Sequence, residues 1–134
     1  MGSRTTLIGI FVGGALLLAS GSVWAHHSLS AHFNLDKPIT LRGTVTRLAW
    51  LNPHGRIYID VKGTDGRTES WMVETGSPLR MERRGLKKGD FQIGAEVIVG
   101  GYASRDGGRT AAGLVVRFPE RETATREAAF SLGR

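Results

Sequence analysis

Much of this chain consists of short segments in which apolar residues recur at every second position, separated by turns rich in glycine. Three such segments lie at residues 39–47, 56–62 and 68–75, and two more follow at 95–102 and 109–118. Successive side chains of a β-strand point to opposite faces, so this alternation predicts five half-buried strands. The chain is therefore expected to be mainly β.

Proline and glycine mark the predicted turns between these strands. Residues 52–55, with the sequence Asn-Pro-His-Gly, predict a turn in which proline fixes one dihedral angle and Gly55 takes a positive φ. Residues 64–67 and 105–108 predict two hairpin turns. The alternation slips near residues 48–51, which predicts a bulge or a strong bend, and Gly43 is a second candidate for a bend.

A short helix is predicted between the third and fourth strands. Ser77 can cap its first turn, Pro78 suits the first helical position, and Gly85 suits its end. Two sheets of so few strands would bury little, and their open edges would promote aggregation. We therefore expect residues 39–118 to form a five-stranded, OB-fold-like Greek-key barrel. An SH3-like barrel is the alternative, because it shares the five strands but usually lacks the helix.

The first 25 residues have the pattern of a cleavable secretory signal peptide. Arg4 is their only charge, residues 7–19 are an apolar run, and small or modest residues end the segment at Ala25. The apolar run is shorter than the roughly 20 residues that a transmembrane helix needs. Cleavage after Ala25 would give a periplasmic or secreted protein. It would begin with an N-terminal arm at residues 26–38 and end in a flexible tail at residues 119–134.

Composition limits the partners and the chemistry. The chain contains no cysteine, which excludes disulfides and thiolate sites, and its net charge of +6 favours anionic partners. The export signal argues against nucleic acid and leaves anionic ligands or an envelope protein. Candidate contact residues for such a partner are the aromatic residues Tyr58, Trp71 and Tyr102 and the basic residues Arg80, Arg83, Arg84 and Lys87.

Histidine is the strongest chemical signal, and it predicts a metal site formed by His26, His27, His32 and His54. After cleavage His26 would carry a free amine beside its imidazole, and the two together can chelate a copper ion. Neutral imidazole is the commonest metal ligand, and nitrogen-rich sites favour Cu(II) in the divalent series, with zinc behind it. If these histidines are merely solvated instead, the protein is an interaction domain that holds no metal.

No set of residues indicates a catalytic mechanism. The carboxylates Asp60, Glu69 and Glu74 have no spacing that assigns acid and base roles, and Glu74 is expected to be exposed. Ser28 lies beside histidines but has no acidic residue that would orient them. The sequence therefore favours a binding module over an enzyme, with oxygen chemistry at a copper ion as a third hypothesis.

Several motifs occur together in the order seen in one known family. They are His26-His27-Ser28, Phe33 ahead of an acidic residue, Gly43-Thr44-Val45, Asn52-Pro53-His54, Trp71 with Glu74, Ser77-Pro78, Arg83-Arg84-Gly85, and Gly94 before a valine-rich strand. Through these motifs nearly all of residues 26–118 resembles the bacterial domain of unknown function 6152 family. The resemblance implies a small exported protein with an OB-fold-like plan. It singles out His26, His27, Asn52 and His54 but implies no activity.

Overall fold

The computed structural model of the protein describes residues 29–119 and 128–129. One helical turn covers residues 29–32. The elements that follow are β1 (Phe33–Ala49), β2 (Arg56–Lys62), β3 (Thr68–Glu74), the helix α1 (Pro78–Arg83), a 3-10 turn (Lys88–Asp90), β4 (Glu96–Ser104), β5 (Thr110–Arg117) and β6 (Ala128–Ala129). The predicted signal peptide, His26, His27 and most of the predicted tail lie outside the described residues.

The strands pair in the order β3-β2-β1-β4-β5-β6, and β3 also pairs with β5 in parallel. The strands β1 to β4 therefore each have two neighbours, and β5 has three. Register partners can be followed from Ala49 to Arg56, Glu74, Ala112 and Tyr102, and then back to β1 at Pro38. The expectation of a mainly β chain with a short helix between the third and fourth strands is confirmed. Within the described residues, no helix has the length and apolar character needed to cross a membrane.

The core consists of the side chains that the alternation directs to one face of each strand. Those that are fully buried in the strands include Val45, Ile57, Ile59, Val73, Val97 and Val116. Met81 of α1, together with Leu86 and Phe91 after it, is also buried in this cluster. Apolar burial of this kind is the main favourable contribution to folding, so the core holds the outward-facing residues in fixed positions.

The first strand begins earlier than the alternation predicts, at Phe33 rather than at residue 39. Phe33 is buried and pairs with Ser104, while the next matched pair is Pro38 with Tyr102. Residues 34–37 thus form an irregular stretch inside the strand. Since an irregular stretch carries no period of two, the sequence pattern there is not that of a strand.

The predicted irregularity in β1 is a bulge at Thr46, upstream of residues 48–51. Val45 pairs with Ile59 and Arg47 pairs with Tyr58, so Thr46 is the additional residue. The bulge inverts the alternation, and Leu48 rather than Arg47 packs against the core. The slip in the sequence pattern is therefore a consequence of the bulge and appears after it.

The predicted ends of α1 are confirmed, whereas the prediction for Gly55 is wrong. The Ser77 hydroxyl accepts a hydrogen bond from the Arg80 amide at 3.4 Å, and Gly85 has a φ of 83°. Positive φ values occur at Gly66, Gly85, Gly94 and Gly107 among the described residues, and Gly55 is not one of them.

Substitutions at two adjacent glycines in β4 can test the close contact between β4 and β5. A Cβ atom at Gly101 would overlap the carbonyl oxygen of Ala112, whereas a Cβ at Gly100 would meet only Val115, at 3.9 Å. We expect Gly101→Ala to lower the free energy of unfolding by about 2–3 kcal/mol, because a strand must shift. Gly100→Ala is the matched control and should change it by less than about 1 kcal/mol. Urea unfolding measures both values, and equal stability of the two variants would contradict the register.

Candidate functional site

The candidate site is a histidine–carboxylate pair between the β1–β2 loop and the end of β3. Nδ1 of His54 lies 2.8 Å from Oε1 of Glu74, and the two side chains are 44% and 29% exposed. Nδ1 is the ring nitrogen that faces this carboxylate, and an ionised carboxylate can only accept a hydrogen. Nε2 is then the ring nitrogen that remains available for another partner. Glu74, expected to be an exposed carboxylate, is instead partly buried and paired.

Gly55 fixes the loop that carries His54 against the residues after β3. Its amide donates to the carbonyl of Gly76 at 3.1 Å, and its carbonyl accepts from the amide of Thr75 at 2.9 Å. A Cβ atom at Gly55 would lie 2.7 Å from Oγ1 of Thr75. The glycine is therefore required for a close approach of two chain segments rather than for a positive φ.

Thr75 connects this loop contact to the helix. The side chain is fully buried, and its hydroxyl lies 3.1 Å from the carbonyl oxygen of Gly76 and 3.1 Å from Sδ of Met81. Met81 is itself a core residue of α1, so the site is supported by the packed apolar side chains of the core.

The register shows what lies beside Glu74 on the sheet. Arg56 is its partner on β2, and Ala112 is its partner on β5. Ala112 is in turn the partner of Tyr102 on β4. Neighbouring strands lie about 4.8 Å apart, so the backbones of Glu74 and Tyr102 are separated by about 10 Å. Ala112 between them is fully buried.

The stretch that leads into β1 is attached to the β4–β5 hairpin by one arginine. The Arg105 amide donates to the carbonyl of His32 at 2.9 Å. The side-chain Nε of Arg105 donates to the carbonyl of Ser30 at 2.6 Å and to that of Phe33 at 3.1 Å. The chain thus enters the described fold beside the end of β4, two residues beyond Tyr102.

The structure describes two of the four predicted metal ligands. His54 is paired with Glu74, His32 is exposed in the helical turn before β1, and His26 and His27 lie outside the described residues. The part of the chain that the structure describes contains no group of three or more histidine, aspartate or glutamate residues able to hold a metal ion. A complete site would therefore need a donor from elsewhere.

The predicted aromatic surface is divided between two faces. Trp71 pairs with the buried Ile59 and packs against the core, while Tyr58 pairs with Met72 on the opposite face. Tyr102 is partly buried on β4. Tyr58 and Trp71 cannot stack on one ligand, because adjacent positions along β2 and β3 point to opposite sides.

Glu69 is the hydrogen-bond partner of both the Trp71 indole and Arg109. The indole Nε1 of Trp71 donates to Oε2 of Glu69 at 3.4 Å, and Nη2 of Arg109 donates to Oε1 at 2.8 Å. The hydrogen bond from Arg109, followed by that from Trp71, lowers the pKa of Glu69. A lowered pKa contributes stability above the ordinary carboxyl pKa, and this contribution is lost as the pH falls through the folded-state value.

The predicted basic cluster lies at the C-terminal end of α1. Arg80 and Arg83 belong to the last turn of the helix, and Arg84 is its C-cap. Cations at this end of a helix interact favourably with its dipole. Lys87 follows, and its amide donates to Oδ2 of Asp90 at 2.7 Å. These four residues follow one another around the end of α1, and the helix dipole is a local reason for positive charges there.

One functional candidate, Arg47, is missed by the sequence pattern. Strict alternation from Leu41 through Val45 would turn Arg47 inward, yet it is exposed and its guanidinium carbon lies 3.7 Å from the centre of the Tyr58 ring. The bulge at Thr46 reverses its direction. The slip of the alternation near residues 48–51 was the signal in the sequence that could have revealed this reversal.

Comparison with protein families identifies a match to the family described as a family of unknown function (DUF6152), over residues 15–114. The chain belongs to this family, as its motifs led us to expect. Searches of curated proteins and of solved structures gave no match.

The proton position on His54 can be tested directly. In wild-type protein we expect ¹⁵N NMR to show a hydrogen on Nδ1, because Glu74 accepts it. Glu74→Ala should remove this preference and let the Nε2-protonated tautomer appear. Glu82→Ala, which removes an exposed carboxylate from α1, is the control and should leave the His54 signals unchanged. An unchanged tautomer in Glu74→Ala would show that the pair does not orient the ring.

Proposed function

We propose that this protein is a small exported β-barrel module that binds a transition-metal ion, with copper favoured over zinc. His54 is the ligand that the fold contributes, and His26 and His27 at the processed N-terminus supply the others. The observation that carries this proposal is the 2.8 Å contact between His54 and Glu74.

The strand pairing supports an OB-fold-like barrel. The parallel pairing of β3 with β5 brings the register partners back to β1, and α1 lies between β3 and β4. An OB-fold is a five-stranded Greek-key barrel, and this element order fits it. The SH3-like alternative is less well supported, because it usually lacks the helix.

The His54–Glu74 pair is the arrangement that metal-binding histidines use. Such histidines almost always donate their second ring N–H to a carboxylate, a carbonyl or water, which fixes the tautomer and makes the ligand nitrogen more basic. Here Nδ1 is engaged and Nε2 is available, on a side chain that is 44% exposed. Glu74 therefore acts as a positioning residue and not as a ligand.

The N-terminal residues can reach this pair if the leader is removed after Ala25. Arg105 holds Ser30 beside the end of β4, two residues beyond Tyr102. The backbone of Tyr102 is about 10 Å from that of Glu74. Ser30 lies about two residues, or roughly 7 Å, further along β4, which puts it about 12 Å from Glu74. The four residues from Ser30 back to His26 can span up to about 14 Å. The length of the arm therefore suffices to bring His26 near His54.

The available donors favour copper. A free α-amine and an imidazole of His26, with Nε2 of His54, form an all-nitrogen set, and no thiolate exists in a chain without cysteine. Nitrogen ligands bind Cu(II) more tightly than Zn(II) or Ni(II) in the Irving–Williams order. The amine coordinates only after cleavage, because before it the same nitrogen is part of a peptide bond.

An envelope interaction domain that binds an anionic partner without metal is the second candidate. It is favoured by the arginines Arg80, Arg83 and Arg84 at the end of α1, beside Leu79, which is 55% exposed. A basic patch beside an apolar side chain is suited to an acidic protein surface.

The metal hypothesis predicts that Cu(II) affinity depends on both the new N-terminus and His54. Isothermal titration should compare protein beginning at His26, the same protein with its N-terminal amine acetylated, and His54→Ala. We expect each change to weaken binding by about tenfold or more, since each removes a nitrogen ligand. Circular dichroism would verify that all three proteins are folded.

Two further variants separate the possible ligand sets. Glu74→Gln keeps the volume of the side chain but not its charge and should weaken Cu(II) binding less than His54→Ala does. Loss of affinity in His32→Ala but not in His54→Ala would contradict the assignment of His54. Equal Cu(II) affinity of the two N-terminal forms would remove the amine from the site, and partner binding that survives chelation would favour the second candidate.

A further inference from the structure

The outer face of β1 and β2 carries an arginine that is held in place by an aromatic ring. The guanidinium of Arg47 lies 3.7 Å from the centre of the Tyr58 ring. A guanidinium stacked on a ring loses little further freedom when it binds a ligand, and its N–H groups remain at its edge. Planar guanidinium edges match the two oxygens of a carboxylate or of a phosphate.

The bulge provides the support for this stack. Thr46 and Arg47 are both exposed although they are adjacent in β1, which a regular strand does not allow. The hydroxyl of Thr46 donates to the carbonyl of Tyr58 at 3.3 Å. Bulges often re-aim a side chain beside a functional site, and here the re-aimed side chain is Arg47.

A second arginine lies on the same face. Arg56 precedes Tyr58 by two residues in β2, so the two side chains point the same way, about 6.6 Å apart along the strand. Its partner on β1 is Ala49, two residues beyond Arg47, which pairs with Tyr58. Among the described residues Arg56 makes no ion pair.

The nearby carboxylates already have partners. Glu74, opposite Arg56, is paired with His54 at 2.8 Å. Asp60, two residues after Tyr58, accepts a hydrogen bond from the Ser70 hydroxyl at 2.6 Å. Neither forms an ion pair with Arg47 or Arg56, which leaves two cations on one face.

We propose that Arg47, Tyr58 and Arg56 form a binding site for an oxyanion group of a small ligand, a carboxylate or a phosphate. Arg47 binds two oxygens through its fork, Tyr58 holds the fork in position, and Arg56 adds a second charge. The site requires no metal and lies beside His54 rather than including it, so it stands independently of the metal hypothesis.

The test is an NMR titration of metal-free protein, treated with a chelator, with acetate in one arm and inorganic phosphate in the other. Sodium chloride at matched ionic strength corrects for general screening. We expect saturable shifts of the Arg47 side-chain Nε–H signal and of backbone amides in residues 45–58. The arm with the higher affinity identifies which oxyanion the site prefers.

Four variants separate a shaped site from general positive charge. Arg47→Ala should weaken binding at least tenfold, since it removes the charge-assisted donor that binds both oxygens. Arg47→Lys keeps the charge but not the fork and should weaken binding nearly as much. Tyr58→Leu should weaken it severalfold. Arg67→Ala, at the β2–β3 turn and 3.7 Å from Asp65, is the control and should not change it.

Three outcomes would overturn the proposal. They are equal affinity of wild type and Arg47→Ala, full binding by Arg47→Lys, and shifts confined to α1 that disappear in Arg83→Ala. The last outcome would place anion binding on the helix. None of them bears on copper affinity, so failure here and failure of the metal hypothesis are distinguishable.

Discussion

The close contact between Gly55 and Thr75 holds the candidate site of this molecule together. Two backbone hydrogen bonds and the absence of a Cβ bring the β1–β2 loop against the end of β3. Thr75 is buried against Met81, so the contact is supported by the core. His54 and Glu74 are the neighbours of these two residues in the chain. Their pairing is therefore determined by backbone packing, and their exposure to solvent does not weaken their placement.

The bulge at Thr46 determines the chemistry of the outer face. Without it, a charged arginine would enter an apolar core, at a cost of several kcal/mol. With it, Leu48 packs inward and Arg47 lies on Tyr58. One additional residue thus keeps the core apolar and also places a cation on the surface. The same face contains Arg56 and, one strand further, Glu74 with His54.

Local patterns predicted the strands and α1 because burial and capping act over a few residues. Ser77, Pro78 and Gly85 are examples in which the predicted role is confirmed. The early start of β1 was missed because residues 34–37 show no alternation of apolar and polar residues. Phe33 belongs to the strand through its pairing with Ser104, which is far away in the sequence. His54 could be selected as a candidate ligand from its residue type alone. Its pairing with Glu74 and the role of Gly55 depend on contacts between segments that are distant in the sequence. The contacts of Arg47 likewise depend on a strand register that no local pattern reveals.

The position of β1 between β2 and β4 affects how the chain folds. Its side chains meet β4 partners far along the chain, as in the hydrogen bond from Arg42 to Glu96 across 54 positions. Contacts of such separation make folding slow, because a long loop must close before they form. During synthesis β1 can pair with β2 early, yet its other edge stays open until β4 emerges. A nascent chain would therefore remain open for most of its translation, with its apolar face accessible to chaperones.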